Sequence, residues 1–437
     1  MNMYKKIFVG LMAFVILASS LAFYYIRQRQ PVVLEFGMIT GSNWGVENAN
    51  SYVIIDKAIK LFEEKHKNVK IHYYSGILKE DYSEWFSRQL MVGKTPDVFM
   101  VLTNDFDQFA SLNVMKDLGG LIRKDDGFNI GNFYASTLST GIYKEKQYAL
   151  PYEAVPTLMF VNKSLLDAEG IQLPGNDWTW NDLYEICRKV TKDTDGDKIL
   201  DQFGTFNYNW LEAVYTNGAR LFDQDGQHAN FTDPKVVEAI KFAKKISDVN
   251  QERKVTQVDF DRGKVAFMPL LFSDYRTYKT YPYKIKKYSN FKWDCITLPA
   301  GGNGRNISEV NTLLMGISNR TKHEELAWEF LKQLTYDEDI QMDIFRYSQG
   351  ASVLKSVVRS KQAEAILRED TEVSDKIIDN ELLSWVMENG VTDPKFNKYE
   401  ESMTLAESEI EKILSQDKNI DSSLEILQRK INQYLKR

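Results

Sequence analysis

The chain has 437 residues, 43% of them hydrophobic, and its 55 Lys and Arg against 61 Asp and Glu leave a formal charge of −6. At roughly 100–200 residues per domain this length predicts two or three domains, and the slight acidity without a long basic run excludes a nucleic-acid footprint. Four His and two Cys are too few for a His-rich metal centre, a CxxC redox pair or a disulfide scaffold.

The first element in chain order is an uncharged stretch from Ile7 to Ile26, preceded by Lys5 and Lys6 and closed by Arg27 and Arg29. At about 1.5 Å per residue its length matches a bilayer core, so residues 1–31 are expected to form an N-terminal membrane anchor. The alternative is a secretory signal cut after Ala22, with Ser20 and Ala22 as the small residues before the cut. Phe23, Tyr24 and Tyr25 suit a membrane interface and favour the uncleaved anchor. No cysteine lies near enough to carry a lipid, because Cys187 and Cys295 are far downstream, where both read as buried small side chains. Either way the bulk of the chain is expected outside the cytoplasm.

From Pro31 onward strands alternate with helices. Val32 to Ile39 is a nearly continuous apolar run, a strand buried on both faces. A polar loop, Thr40 to Asn50, leads to a helix with Ile55, Ala58, Ile59 and Phe62 on one face. Val69 to Tyr73 reads as a second strand, Tyr82 to Met91 as a helix, and Pro96 to Val101 as a third strand. This alternation predicts a parallel α/β sheet, whose ligand crevice lies beyond the carboxyl ends of its strands, here at Thr40–Asn50 and Thr103–Phe106. Tyr148–Pro151 and Thr157–Val161 are expected to flank a bend, followed by a helix that starts near Trp178-Thr179-Trp180. Helices dominate to about Val249, strands are expected at Val265–Leu271, Phe291–Pro299 and Thr312–Ile317, and the chain ends in amphipathic helix.

Short motifs occur along this path in a recognisable order: Phe62-Glu63-Glu64-Lys65-His66, Pro96-Asp97-Val98, Tyr148-Ala149-Leu150-Pro151, Phe160-Val161-Asn162-Lys163, Gly263-Lys264-Val265-Ala266-Phe267 and Ala327-Trp328-Glu329-Phe330-Leu331. From about residue 32 to the end the sequence resembles the extracellular solute-binding proteins, family 1, the maltose-binding-like carbohydrate-capturing subunits of bacterial ABC importers. The resemblance implies a two-lobed α/β periplasmic-binding-protein fold, with a hinge and an interlobe ligand cleft. Lobe 1 is then expected from 32–150 plus 311–338, and lobe 2 from 151–310 plus 339–437. The crossings between them should fall near Leu150–Ala154, near Val310–Thr312 and after Leu334. It also implies binding without chemistry, a carbohydrate (an oligosaccharide above all) as ligand, importer permease subunits as partners, and a monomer. A membrane-tethered sensor for a signalling partner would share the fold.

Sugar sites combine aromatic faces with carboxylates and amides that satisfy hydroxyls. In the first loop Trp44 is the expected aromatic face. The resemblance adds Asp105 after the third strand and Glu153 between Pro151 and Pro156 at the first crossing. It also adds Trp210, Asp274 and Tyr275, with Asn311 and Gln349 as further contacts. For these the bland alternatives are core packing for the aromatics, a helix cap for Asp105 and a hinge ion pair for Glu153.

The sharpest local motif is Asp193-Thr194-Asp195-Gly196-Asp197-Lys198-Ile199-Leu200-Asp201. Carboxylates at its first, third, fifth and ninth positions, with the Ile199 carbonyl at the seventh, follow the spacing that wraps oxygens around Ca²⁺. Structural calcium is therefore expected, although Lys198 stands where the sixth-position glycine belongs and Gly204 where the bidentate glutamate belongs. A glycoside hydrolase would need two carboxyls about 5–9 Å apart across the scissile bond, and nothing marks such a pair. His323-Glu324-Glu325 lacks the second His of a zinc-protease helix, and Gly301–Gly304 does not open a phosphate-binding helix.

Overall fold

The computed structural model describes residues 31–280, 291–368 and 378–436, apart from Glu47, Ala49, Gln224, Glu252, Lys395, Asn397 and Asp417, together with Phe8. The expected membrane segment 7–26 lies, but for Phe8, outside the described residues. Among the described residues no helix is long and apolar enough to cross a membrane.

Three parallel strands open the chain, β1 (Val32–Gly37), β2 (Val69–Tyr73) and β3 (Val98–Val101), with β1 in the middle. A hairpin of β4 (Ile142–Tyr143) and β5 (Lys146–Gln147) leads into β6 (Ala149–Asn162). After it come β7 (Phe203–Thr205), β8 (Val265–Leu271), β9 (Trp293–Ile296), β10 (Val310–Ile317) and β11 (Ala351–Ser352). The main sheet runs β2-β1-β3-β10-β6-β8-β7.

The strand that joins the two halves is β6, in which all 14 residues are buried. Its first half pairs antiparallel with β10 and its second half with β8 and β9. It is thus one strand, where the sequence suggested two segments flanking a bend. The bend survives as a bulge: Leu314 pairs with Pro151 and Leu313 with Glu153, which leaves Tyr152 unpaired. Pro151 has no N–H to donate, so the ladder slips beside it.

Two cores flank this junction. In the first, the helix Ser51–Lys65 buries Ile55, Ala58 and Phe62, as the spacing predicted, with Ile54 in place of the half-buried Ile59. Phe330 meets Phe36 and Phe62 edge-on at 5.5 and 5.2 Å. In the second, the helix Trp180–Val190 starts with a capping box between Thr179 and Asp182, and Trp180 stacks on Phe242 at 4.3 Å. Cys187 and Cys295 are free and buried, as expected. A Cβ on Gly204 would lie 2.4 Å from that of Cys187, so this glycine serves close packing and is no metal-ligand position.

The C-terminal quarter departs from the expectation that 339–437 belongs to the second lobe. The helix Glu338–Tyr347 packs on Ser51–Lys65, where Asp343 pairs with Lys57. The helix Asn380–Asn389 packs on Ala135–Ser139, with Tyr134 donating to Ser384 at 3.0 Å. Ile340, Phe345, Leu354 and Leu383 complete the first core. Only the helices Tyr399–Ser415 and Ile420–Leu435 close the second, through Ile410, Leu427 and Ile431. The third crossing is therefore at Gly390–Pro394, some 50 residues beyond the expected place after Leu334, and it lies against the start of β10 through a parallel bridge between Glu309 and Val391.

Candidate ligand cleft

The register shows where the crevice must be. Val101, at the end of β3, stands beside Leu314, and Leu271, at the end of β8, stands beside Thr157. The parallel strands of both lobes therefore point their carboxyl ends at the stretch where β6 and β10 cross. A ligand held there touches the loops after β1, β2 and β3 from one side and those after β7 and β8 from the other.

Glu153 sits on the crossing strand itself and is 4% exposed. The Gly350 N–H donates to its Oε1 at 2.6 Å, and the Ser348 hydroxyl donates to the same oxygen. Burial pushes the Glu153 carboxyl up, while Ser348, the approaching Trp44 indole, Gly350 and the Arg276 guanidinium pull it back towards ionisation. Trp44 Nε1 is buried and completes no bond of full hydrogen-bond geometry, so the indole approaches the carboxylate without capturing it. The loop after β1, the crossing strand, the helix after β8 and the turn before β11 thus converge on one carboxylate. Gly350 is required there, since a Cβ would lie 2.3 Å from Glu153 Oε1.

Neighbouring loops are fastened to one another. The Lys79 ammonium donates to the Asn43 carbonyl at 2.6 Å, and burial lowers its affinity for the proton. Thr40 and Tyr52 share a hydrogen bond of 2.7 Å, and both accept from the Gly76 N–H. Asp105 does not cap the helix that follows it. Its carboxylate accepts from Ser83 at 2.7 Å, and burial raises it despite that bond. Asp274 accepts from the Leu271 N–H at 3.3 Å and is likewise raised by burial.

Two expected aromatic platforms are not faces open to a ligand. Tyr275 is fully buried, packed between Phe272 at 5.7 Å and Trp293 at 5.6 Å. Trp210, 8% exposed, begins the helix Trp210–Thr216 and belongs to the second core. Both are packed into hydrophobic cores, which is the packing reading of an aromatic. Asn311 also stands apart from the Glu153 group, since its side chain is near the Glu309 carboxyl, which it helps to keep ionised. Gln349 is half-buried between the two donors to Glu153. Sequence reasoning missed Ser348, Gly350, Arg276 and Lys79. Only the Gly following Gln349 carried any signal.

A separate groove of about 1730 Å³ opens between the lobes, walled by Gln108, Ser111 and Tyr143 on one side and Tyr215, Phe222 and Asp393 on the other. None of the residues expected to meet a ligand lines it. The convergent donors and the buried carboxylate lie at the strand ends instead.

In the acidic loop, carboxylate oxygens of Asp193, Asp195 and Asp197 come within 4.8 Å of one another. Asp193 accepts the N–H groups of Gly196 and Lys198, each at 2.7 Å, and these amides hold it below the usual carboxylate range. Lys198 takes the left-handed φ of 71° that a glycine at this position would supply. Asp201, expected as a fourth carboxylate, is instead held by the Thr194 hydroxyl and by Lys264 at 3.0 Å, which bring it down to about 2. Ile199 projects outward, 54% exposed.

The family model of the bacterial extracellular solute-binding proteins matches residues 47–339. No curated protein matches the sequence. Among solved structures, the ABC substrate-binding protein of Listeria monocytogenes in complex with cycloalternan is 19% identical, with 93% of this chain and 99% of that one covered and a TM-score of 0.67. The cyclic alpha-maltosyl-1,6-maltose binding protein of Arthrobacter globiformis is 17% identical, with 93% and 99% covered and a TM-score of 0.75. The sugar-binding protein MalE of Xanthomonas citri is 14% identical, with 92% and 97% covered and a TM-score of 0.76. At these identities the likeness establishes the fold.

Proposed function

Because the chain belongs to the bacterial extracellular solute-binding proteins, we propose that it captures a carbohydrate, an oligosaccharide above all, in the crevice around Glu153 and delivers it to an ABC importer. The observation that carries this reading is the convergence of Trp44, Arg276, Ser348 and Gly350 on one buried carboxylate at the strand ends. A carboxylate so placed accepts from ring hydroxyls, Trp44 covers an apolar ring face, and the strand-end loops add Ser42, Asn43, Asn104, Asn207 and Asn209 as hydroxyl partners. The structures of cycloalternan- and maltosyl-maltose-binding proteins support the same reading by fold. On this reading the protein acts outside the cytoplasm as a single copy, the apolar run 7–26 keeps it at the membrane, and no covalent chemistry is done on the sugar.

We extend the proposal to a structural calcium ion held by Asp193, Asp195 and Asp197. Three converging carboxylates on a loop already wrapped by its own amides fit a hard cation with oxygen ligands.

A thermal-shift screen over neutral, acidic and amino oligosaccharides tests the main reading. A ligand at about 100 times its Kd adds roughly 2.7 kcal/mol to the native state, so one sugar class should raise the melting temperature. No shift with any glycan, set against a shift with a peptide or a metal chelate, would overturn it.

A further inference from the structure

Tyr152, the residue left over at the bulge of β6, directly precedes Glu153, so its peptide group sets the direction in which the Glu153 side chain leaves the strand. On the other edge of β6, β11 pairs Ala351 with Ala154 and Ser352 with Glu153. The next rung would join Val353 to Tyr152. The side-chain amide of Gln341, from the helix Glu338–Tyr347, stands in that rung. Its Nε2 donates to the Tyr152 carbonyl at 3.0 Å, and its Oε1 accepts from the Val353 N–H at 3.2 Å. The same Nε2 donates to the Leu334 carbonyl at 3.0 Å, and the same Oε1 accepts from the Ser352 hydroxyl at 2.8 Å. A primary amide has two N–H donors and two lone pairs, so the fully buried Gln341 spends its whole capacity here.

The helix that carries Gln341 also carries the partners of Glu153. Its last turn offers the Phe345 carbonyl to the Arg276 guanidinium, and the chain leaving it presents Ser348 and Gly350 to Glu153 Oε1. A methionine would fill much the same space, so packing alone calls for no amide at this position. A fully satisfied buried network holds one arrangement, whereas removal of its central member strands several buried groups at once.

We propose that Gln341 is a positioning residue of the ligand cleft. By spanning the missing rung it fixes the spacing between the Tyr152 peptide and the 352–353 backbone. That spacing sets the Glu153 carboxylate where Ser348 and Gly350 meet it and where ring hydroxyls reach it. The inference rests on the reading that Glu153 meets the ligand. Gln341 itself touches no ligand and acts through the two backbones that it joins.

Gln341→Met in the full chain tests this, first without any ligand. The Gly350 amide proton, held downfield by its short bond to a carboxylate, should move upfield in the NMR spectrum, while the amides of β3 stay in place. An unmoved Gly350 signal would overturn the positioning role. With the glycan that the screen identifies, the substitution should lower affinity about tenfold or more in an otherwise wild-type chain. Beside Gly350→Ala, where the carboxylate is already displaced, it should cost far less. Losses that multiply in the double variant would make Gln341 an ordinary stabilising residue and also overturn the proposal. If no glycan binds, the carbohydrate reading fails and the ligand-free Gly350 shift still decides the positioning role. Should Gln341→Met fail to fold, hydrogen exchange of the Gln341 side-chain amide in wild type decides. Protection like that of the β6 backbone supports the bridged rung, and exchange as fast as that of a surface glutamine overturns it.

Discussion

Replacing Gly350 with alanine should weaken ligand binding by acting on Glu153 alone. Gly350 has a negative φ, so an alanine takes its backbone conformation without strain. The added Cβ would, however, lie 2.3 Å from Glu153 Oε1 and 2.4 Å from its Cγ, distances that no rotation of the methyl group relieves. The carboxylate must move, and it loses the 2.6 Å bond from the Gly350 N–H together with its alignment to Ser348. A hydrogen bond to a charged group contributes about 1.5–3 kcal/mol, so the loss of one corresponds to about 2 kcal/mol, or roughly thirtyfold in an equilibrium constant. Titration calorimetry with the glycan that the screen identifies, and urea unfolding without it, read the two consequences separately. Both affinity and stability should fall by that order. A stability loss with unchanged affinity would make Glu153 a structural pin of the hinge. If neither quantity changes, the carboxylate is not held as described and the reasoning fails.

Trp44→Ala should weaken carbohydrate binding by about 1–3 kcal/mol with a nearly unchanged melting curve, because the indole is only partly buried; calorimetry beside melting separates the two effects. Trp210→Ala should do the reverse, costing about 3–5 kcal/mol of stability through the cavity left in the second core, and a variant as stable as wild type would return Trp210 to the cleft. Calcium should raise the melting temperature, and both a chelator and Asp195→Ala should lower it, with Mg²⁺ a poor substitute because it prefers a tighter octahedral shell. If chelator and substitution both leave the curve in place, the loop is an acidic turn.

The parallel strands of the first lobe were legible because β1 and β3 are apolar or nearly so, as at Val98–Val101, where all four residues are buried, and β2 alternates apolar with polar residues. Glu153 was legible only through the family resemblance, which singles out the acid between Pro151 and Pro156. The path of the C-terminal quarter was not. An amphipathic helix states that it has a buried face without stating which core it faces, and Glu338–Tyr347 or Asn380–Asn389 would have suited either lobe. The aromatic residues failed for a related reason: a Trp or Tyr beside a strand end packs inward or stacks outward with the same sequence signature, and Tyr275 packs inward. Gly350 acts through a backbone N–H and a missing Cβ, and neither is a side-chain signal.

The late return of the chain has a kinetic side. The first core runs from Leu34 to Met387, and the second is closed only by Leu424, Leu427 and Ile431. In the sheet, β10 is inserted between β3 and β6, strands that precede it in the chain by more than 140 residues. No growing chain can therefore complete either lobe before nearly all of it has been synthesised, and the contacts that complete them are long-range, the kind whose loop-closure entropy makes folding slow. In a chain of an extracellular family, such delay prolongs the time for which the polypeptide is still an extended thread. The same interleaving that joins the two lobes thus postpones the completion of each.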